Sequence, residues 1–205
     1  MKSMIRWSLI ILLWLCYGSC SNAQTATKSS RVLIVYLSRT NNTKTIAEII
    51  QRMTGGELVA IELNKPYPED YRATVQQVSE ENESGYLPPL KTNIDSISNY
   101  DLVFIGFPTW GMQLPPPVKS FLNEYDLSHK TLIPFNTNGG YGIGSSFQAI
   151  KRLCPQSKIL EGFSIEGGKE RDGIKLAIAG EKLREAETAV AAWLKKIGVQ
   201  HSIKN

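Results

Sequence analysis

Residues 31–43 read RVLIVYL followed by SRTNNT. The first seven form a nearly continuous β-branched and apolar run, which is typical of a parallel strand buried on both faces. Five of the next six residues carry a hydroxyl or an amide, and apolar residues at helical spacing follow them. We therefore predict a strand at 31–37 and a helix at 43–53, joined by a polar turn.

The rest of the chain repeats this order of strand and helix. Apolar runs predict four further strands, at 57–63, 100–106, 131–136 and 158–165. Capping residues and helical spacing predict four further helices, at 71–83, 115–125, 145–153 and 180–197, with a loop at 86–98. Strands that alternate with helices form a parallel sheet covered on both faces, so the sequence predicts a single five-stranded α/β domain.

The N-terminus has the three parts of a secretory signal peptide. Lys2 and Arg6 form a basic start, residues 7–17 are almost entirely apolar, and residues 18–23 are mostly small. The apolar run is shorter than the roughly 20 residues that a membrane-spanning helix needs. We expect residues 1–23 to be the signal, 24–30 a polar linker, and 31–205 the exported domain.

Two cleavage sites compete within this signal. Gly18-Ser19-Cys20 is similar to a bacterial lipoprotein box, although Tyr17 stands where that box usually has Leu. Cys20 would then be lipidated and would become the new N-terminus. The other site follows Ser21-Asn22-Ala23 and would release a soluble protein. We favour the lipoprotein site and expect a periplasmic or lipid-anchored protein, with membrane contact only through Cys20.

Composition excludes several classes of protein. The chain has 205 residues, 42% of them hydrophobic, which fits one globular domain. The signal contains two of the 23 basic residues, against 19 acidic ones in the chain, so the exported domain is nearly neutral. It has no basic stripe that would indicate nucleic acid. Cys154 is the one cysteine beyond the signal region, which excludes an intramolecular disulfide, a CxxC redox pair and a cysteine-ligated metal site.

The turn at 38–43 is predicted to bind an anion. Ligands of such sheets bind beyond the carboxyl ends of the strands, where the strand order reverses. At this position the turn would place hydroxyl, amide and backbone N–H groups at the start of a helix, which attracts anions. A plain N-cap would need one such residue rather than five. Because Walker and dinucleotide-binding glycine patterns are both missing, we predict a phosphate held by hydroxyls and backbone.

Two further loops are predicted at the same edge of the sheet. Residues 107–112 (FPTWGM) offer Trp110 as a flat surface for stacking, and Gly111 permits backbone conformations closed to other residues. Residues 138–144 (NGGYGIG) let the backbone approach a planar ligand, and Tyr141 adds a second aromatic face. Either loop alone is explained without a ligand, by packing of Trp110 or by a flexible connection. Three such loops at one edge indicate a ligand site.

These motifs resemble those of flavodoxins. Residues 38–47 are similar to the flavodoxin phosphate loop, S-x-T-G-N-T with a following Ala, and residues 106–118 are similar to the same region of bacterial flavodoxin-like proteins. Segments 65–71 and 133–135 also fit that group, and the resemblance covers roughly residues 31–197. It implies a doubly wound flavodoxin-like sheet of strand order 2-1-3-4-5 that binds FMN non-covalently.

The resemblance also implies roles for individual residues. The turn at 38–43 would hold the FMN phosphate, Trp110 would stack on the isoalloxazine ring, Gly111 would present a backbone group to flavin N5, and the glycine loop would contact the pyrimidine side. The implied cofactor-binding residues are Ser38, Arg39, Thr40, Asn41, Asn42, Thr43, Pro108, Thr109, Trp110, Gly111, Met112, Asn138, Gly139, Gly140, Tyr141 and Gly142. No metal ligand and no catalytic side chain are implied.

Two features depart from flavodoxins. Asn41 stands where the family has Gly, and Asn is the side chain that best tolerates the left-handed conformation expected there. The domain is nearly neutral, whereas electron-carrying flavodoxins are typically very acidic, which keeps the reduced flavin anion unstable and guides docking to basic partners. Met112 and Gln113 stand where some carriers have acids. The usual redox potential and partners are therefore not implied.

Three functions compete on this fold. The favoured one is an FMN-dependent electron carrier outside the cytoplasm, with redox partner proteins or a small-molecule acceptor. An NAD(P)H-dependent quinone or azo reductase would need nicotinamide access to the flavin face, which Tyr141 would obstruct. A phosphate-receiving regulator without flavin would need an acidic pocket where Ser38 and Thr109 stand. Turnover of NADPH by the flavin-loaded protein separates the first two functions.

Overall fold

The computed structural model describes residues 31–199, so the predicted signal, Cys20 and the linker lie outside the described residues. The strands are β1 Val32–Tyr36, β2 Glu57–Ala60, β3 Leu102–Pro108, β4 Thr131–Asn138, β5 Lys158–Ile159 and β6 Phe163–Glu166. The helices are α1 Asn42–Thr54, α2 Tyr71–Ser84, α3 Pro116–Glu124, α4 Ser146–Leu153 and α5 Gly180–Lys196. Short 3₁₀ turns lie at Ile97–Asn99 and Glu170–Asp172.

The sheet has the order β2-β1-β3-β4, with β5 and β6 both paired to the outer side of β4, and every pairing is parallel. This confirms the predicted strand order. One face of the sheet packs on α1 and α5 and the other packs on α3 and α4, which gives two apolar cores. None of the helices within residues 31–199 is long and apolar enough to cross a membrane.

The predicted fifth strand at 158–165 is two short strands, β5 and β6. Leu160 donates its N–H to Leu132 O (3.0 Å), so Pro134, two residues further along β4, faces the same neighbour. Proline has no N–H to donate, and the pairing stops there. The pairs Leu132↔Ile159 and Phe135↔Phe163 show that the outer strand carries one extra residue between them. The predicted five-stranded order is therefore correct, but two short strands occupy the fifth position of the sheet.

Parallel pairing brings the carboxyl ends of β1, β3, β4 and β6 to one edge of the sheet. The turn at 38–43, the loop at 109–115, the glycine loop at 139–145 and the loop between β6 and α5 all leave this edge. The first three are the loops in which the sequence predicts a ligand site. The fourth, at 167–179, is called the β6–α5 loop below.

Candidate functional site

A cavity of about 370 Å³ lies at the carboxyl edge of the sheet, between these four loops. We call it the loop cavity. Its lining includes most of the residues predicted from sequence: Arg39, Thr40, Asn42, Thr43, Pro108, Thr109, Trp110, Gly111, Met112, Asn138, Gly139, Tyr141 and Gly142. Ser38, Asn41 and Gly140 belong to the same loops but do not line the cavity.

The start of α1 forms one end of the loop cavity. Asn41 precedes the helix with φ 64°, the left-handed conformation expected there, and its side chain makes no capping hydrogen bond. Lys44 donates its N–H to Ser38 Oγ (3.2 Å), so Ser38 caps the helix rather than lining the cavity. Within residues 31–199, the N–H groups of Asn42 and Thr43 have no acceptor. Unpaired donors at a helix start bind anions.

Two threonine hydroxyls stand at the same end. Thr40 Oγ1 accepts a hydrogen bond from Asn42 Nδ2 (3.0 Å), which leaves the Thr40 proton available for a ligand. Thr43 Oγ1 lies 2.8 Å from Thr137 Oγ1 in a buried pair, in which either hydroxyl can donate. The hydroxyl that accepts in this pair keeps its own proton. This end of the cavity therefore combines backbone and hydroxyl donors.

The side chain of Asn42 is committed to the protein itself. Its Nδ2 donates to Lys175 O (2.6 Å), and its Oδ1 accepts from the N–H groups of Ala177 (2.9 Å) and Ile178 (3.1 Å). Asn42 is only 3% exposed. It thus fastens the β6–α5 loop to the start of α1, and the group it presents to the cavity is its backbone N–H.

Arg39 joins three loops. Its Nε lies 2.9 Å from both carboxylate oxygens of Glu170, and the two side chains are only 18% and 16% exposed. Its Nη1 donates to Pro68 O (2.9 Å) and its Nη2 to Glu69 O (2.5 Å). The guanidinium is therefore already neutralised and bonded on several sides. Its position indicates a fastening role at the edge of the cavity.

The aromatic end of the cavity is a tight turn. Trp110 and Gln113 exchange backbone hydrogen bonds around Gly111 (φ 55°) and Met112 (φ 59°), and we call residues 110–113 the Trp110 turn. A positive φ at Met112 is strained, because residues other than Gly, Asn and Asp rarely adopt this backbone conformation. Trp110 meets Tyr67 edge to face, with ring centroids 5.3 Å apart.

Side-chain amides shape the glycine loop. Asn138 Oδ1 accepts from the N–H groups of Gly140 (2.8 Å) and Gly142 (3.1 Å). Asn136, which is fully buried, donates to Thr109 Oγ1 (2.9 Å), and Thr109 in turn donates to Gly142 O (2.9 Å). This network fixes the glycine loop against the end of β3. The amide of Asn138 is used within the protein, as that of Asn42 is.

The β6–α5 loop supplies lining residues that sequence reasoning missed, namely Gly167, Gly168, Lys169, Glu170 and Arg171; Tyr71 and Thr137 were also missed. A Cβ on Gly168 would lie 2.1 Å from Lys175 O, so the loop closes on itself only with glycine there. In the sequence, the pair Gly167-Gly168 directly after the last strand is the feature that could have indicated a fourth loop at the site. Arg171 donates to Tyr141 Oη (3.0 Å), and its hydrogen bonds to Asp172 and Tyr141 raise the Arg171 pKa.

Residues 31–179 match the sequence family described as Flavodoxin, so the chain belongs to the flavodoxin family. Two similar solved structures are proteins assigned as flavoproteins, both from Bacteroides. The one from Bacteroides eggerthii is 30% identical, with 83% of this chain and 99% of that chain covered and a TM-score of 0.68. The one from Bacteroides uniformis is 26% identical, with 70% and 94% covered and a TM-score of 0.61.

A third similar structure is a flavoprotein from Lactobacillus acidophilus in complex with FMN. It is 23% identical to this chain, 71% of this chain and 98% of that chain are covered, and the TM-score is 0.59. At that identity the likeness shows the fold alone. A comparison with curated proteins gave no match.

Proposed function

We propose that the protein binds FMN in the loop cavity and carries electrons outside the cytoplasm. The start of α1 is the observation that carries this proposal, because it gathers unpaired N–H groups and threonine hydroxyls at one end of a cavity whose other end is aromatic. FMN has a phosphate at one end and a flat ring at the other. Membership of the flavodoxin family supports the same cofactor.

Each predicted residue then has a task that its contacts suggest. The hydroxyls of Thr40 and Thr43 would donate hydrogen bonds to the phosphate. The backbone N–H groups of Asn42 and Thr43 would do the same. Ser38 and Asn41 would act indirectly, since one caps α1 and the other sets the turn. When bound, FMN supplies the redox chemistry, while the protein supplies position and electrostatics.

At the ring end, Trp110 and Tyr141 would contact the isoalloxazine faces. Met112 of the Trp110 turn and Gly142 of the glycine loop line the cavity beside these aromatic side chains. Tyr141 is 66% exposed and is held by Arg171 rather than packed in the core. A ring placed against it would remain close to solvent and within reach of an external partner.

Charges at the mouth of the cavity cancel in pairs. Lys169 lies 3.4 Å from Glu166, and Arg171 lies 3.1 Å from Asp172. Exposed pairs of this kind contribute little to stability. Because each pair is neutral, however, the flavin ring would not experience a strong electrostatic field of one sign. This arrangement differs from the acidic surface expected of a carrier that docks to basic proteins. It favours an electron acceptor that is recognised by the shape of its contact surface rather than by its charge.

A second candidate function is an NAD(P)H-dependent quinone or azo reductase. It is favoured by a second cavity that shares the Trp110 turn with the loop cavity and has room for a small-molecule acceptor, though not by any site for the dinucleotide itself. A steady-state assay of NADPH oxidation by the FMN-loaded protein, with and without a quinone, separates the two functions. An electron carrier oxidises NADPH no faster than free FMN does at equal concentration.

Comparison of FMN with riboflavin tests the phosphate end. Thr40→Ala or Thr43→Ala should each weaken FMN binding by about 1–3 kcal/mol, because a buried charged oxygen loses a donor. Riboflavin binding should not change. Thr45→Ala is the matched control, since Thr45 lies on α1 but donates to Asn41 O, outside the cavity lining. Equal binding of FMN and riboflavin to the unmodified protein would contradict the proposed phosphate site.

Export is proposed from the sequence of residues 1–23. The basic start, the apolar run and the small residues support cleavage and transfer out of the cytoplasm. The lipoprotein site at Cys20 would keep the domain at a membrane, with residues 21–30 as the tether. Cleavage after Ala23 would instead leave the domain soluble in the periplasm.

A further inference from the structure

A second cavity, of about 470 Å³, lies between α2 and the Trp110 turn. We call it the helix cavity. We propose that it binds a neutral, planar organic molecule that carries carbonyl oxygens, of the quinone class. The volume is in the range of pockets that hold small molecules. The redox role of such a ligand rests on the proposed function, but its binding does not.

One face of α2 forms the outer wall of the helix cavity. Tyr71, Val75, Val78 and Asn82 follow each other at intervals of three or four residues, so they lie along one stripe of the helix. Val75 is 49% exposed although it is apolar and the helix around it is mostly polar. Tyr71, Val75 and Val78 thus give this wall an apolar part suited to the ring of a ligand. The other lining residues of α2 are polar, namely Thr74, Ser79, Asn82 and Glu83.

The opposite wall is shared with the loop cavity. The residues that line both cavities are Arg39, Tyr71, Thr109, Trp110, Gly111 and Glu170. A flat molecule in the helix cavity would therefore lie against the Trp110 turn, which also lines the cavity of the proposed flavin. Aromatic side chains favour stacked or edge-on contact with planar ligands.

Charge around the helix cavity disfavours anionic ligands. Its lining includes two acidic residues, Glu83 and Glu170. Among residues 31–199, the only basic residue in the lining is Arg39. Arg39 is already bonded to Glu170, Pro68 and Glu69. A pyrophosphate would meet two carboxylates and a lining guanidinium that is already paired. A nicotinamide dinucleotide is therefore not the expected occupant.

Two amide groups supply donors suited to carbonyl oxygens. Asn82 Oδ1 accepts from Lys119 Nζ (2.7 Å), which fixes the amide with its nitrogen on the other side. Within residues 31–199, neither Asn82 Nδ2 nor Gln113 Nε2 has an acceptor, and both residues line the cavity. One donor on α2 and one on the Trp110 turn match a ring that carries carbonyl groups at its edge.

Calorimetric titration of the full-length protein, with and without FMN, tests this site. The probes are menadione, which is neutral, and 1,4-naphthoquinone-2-sulfonate, which is anionic. Val75→Phe should fill the cavity and weaken menadione binding by about tenfold or more, whereas Gln76→Phe, one residue along α2 and outside the lining, should not. The sulfonate should bind less tightly than menadione, and Glu83→Gln should narrow that difference.

The outcomes separate this inference from the proposed function. Absence of menadione binding, or equal binding by Val75→Phe and the unmodified protein, overturns the inference. Tighter binding of the sulfonate than of menadione also overturns it. FMN affinity is measured in a separate titration. Menadione binding that is sensitive to Val75→Phe, in a protein that does not bind FMN, contradicts the proposed function and supports the site.

Discussion

Replacement of Asn42 by Ala should release the β6–α5 loop from α1. The Asn42 side chain accepts from the N–H groups of Ala177 and Ile178 and donates to Lys175 O. Ile178 is buried, so its N–H would lose its acceptor where water cannot replace it, at a cost of about 1–3 kcal/mol. The other two bonds should each contribute about 1 kcal/mol. We therefore expect the free energy of unfolding to fall by about 3–5 kcal/mol.

Urea unfolding of the FMN-free protein measures this change as a lower midpoint at an unchanged slope. Amide hydrogen exchange adds a local measurement, since the Ile178 N–H should exchange much faster in Asn42→Ala. Thr45→Ala is again the matched control, because it removes one exposed hydrogen bond from the same helix. A loss of less than about 1 kcal/mol, or unchanged protection of Ile178, would refute the fastening role of Asn42.

Three further predictions concern other parts of the chain. Trp110→Ala should restore part of the fluorescence that an adjacent indole quenches in bound FMN, and should weaken binding by about 1–3 kcal/mol; unchanged emission with a lower melting temperature would mean that Trp110 only packs. Burial, and then the hydrogen bond to Glu81, raises the pKa of Tyr67. Stability conferred by neutral Tyr67 is thus complete below about pH 10 and is lost as the pH rises further. Above that pH, urea melts should show that the free energy of unfolding falls less with rising pH in Tyr67→Phe than in the unmodified protein. Equal losses would argue against a raised pKa of Tyr67. Mass spectrometry of the native protein should show loss of about twenty residues and, for a lipoprotein, a diacylated Cys20; an intact Met1 contradicts both cleavage sites, and Cys20→Ser distinguishes them.

Local sequence patterns were sufficient to predict the elements that end at the site. The apolar run at 31–37 and the polar turn after it are both encoded within a few neighbouring residues, and the structure has β1 and α1 there. The left-handed conformation of Asn41 is likewise a local property of a turn. The strand order followed from the family resemblance, and the structure confirms it.

The rest depends on contacts between residues that are far apart in the chain. Asn42 was expected to hold a phosphate, but its side chain is bonded to Lys175, Ala177 and Ile178, more than 130 residues away. The pairing of Arg39 with Glu170 has the same character. The shape of the β6–α5 loop comes from Gly168 and from hydrogen bonds to Asn42 and Arg39, which no local sequence pattern reveals. The sequence alone therefore predicted three of the four loops that meet at the site, but neither the fourth loop nor the hydrogen bonds between their side chains.

Pro134 also affects how the sheet meets other chains. An open edge strand presents unpaired N–H and C=O groups, on which a strand from another molecule can add. At this edge β5 has two residues and β6 has four, and the extra residue between them shifts the register. A foreign strand would find no continuous row of partners along this side. The missing N–H of one interior proline thus coincides with a break in the outer strand, which shortens each stretch on which a foreign strand could add.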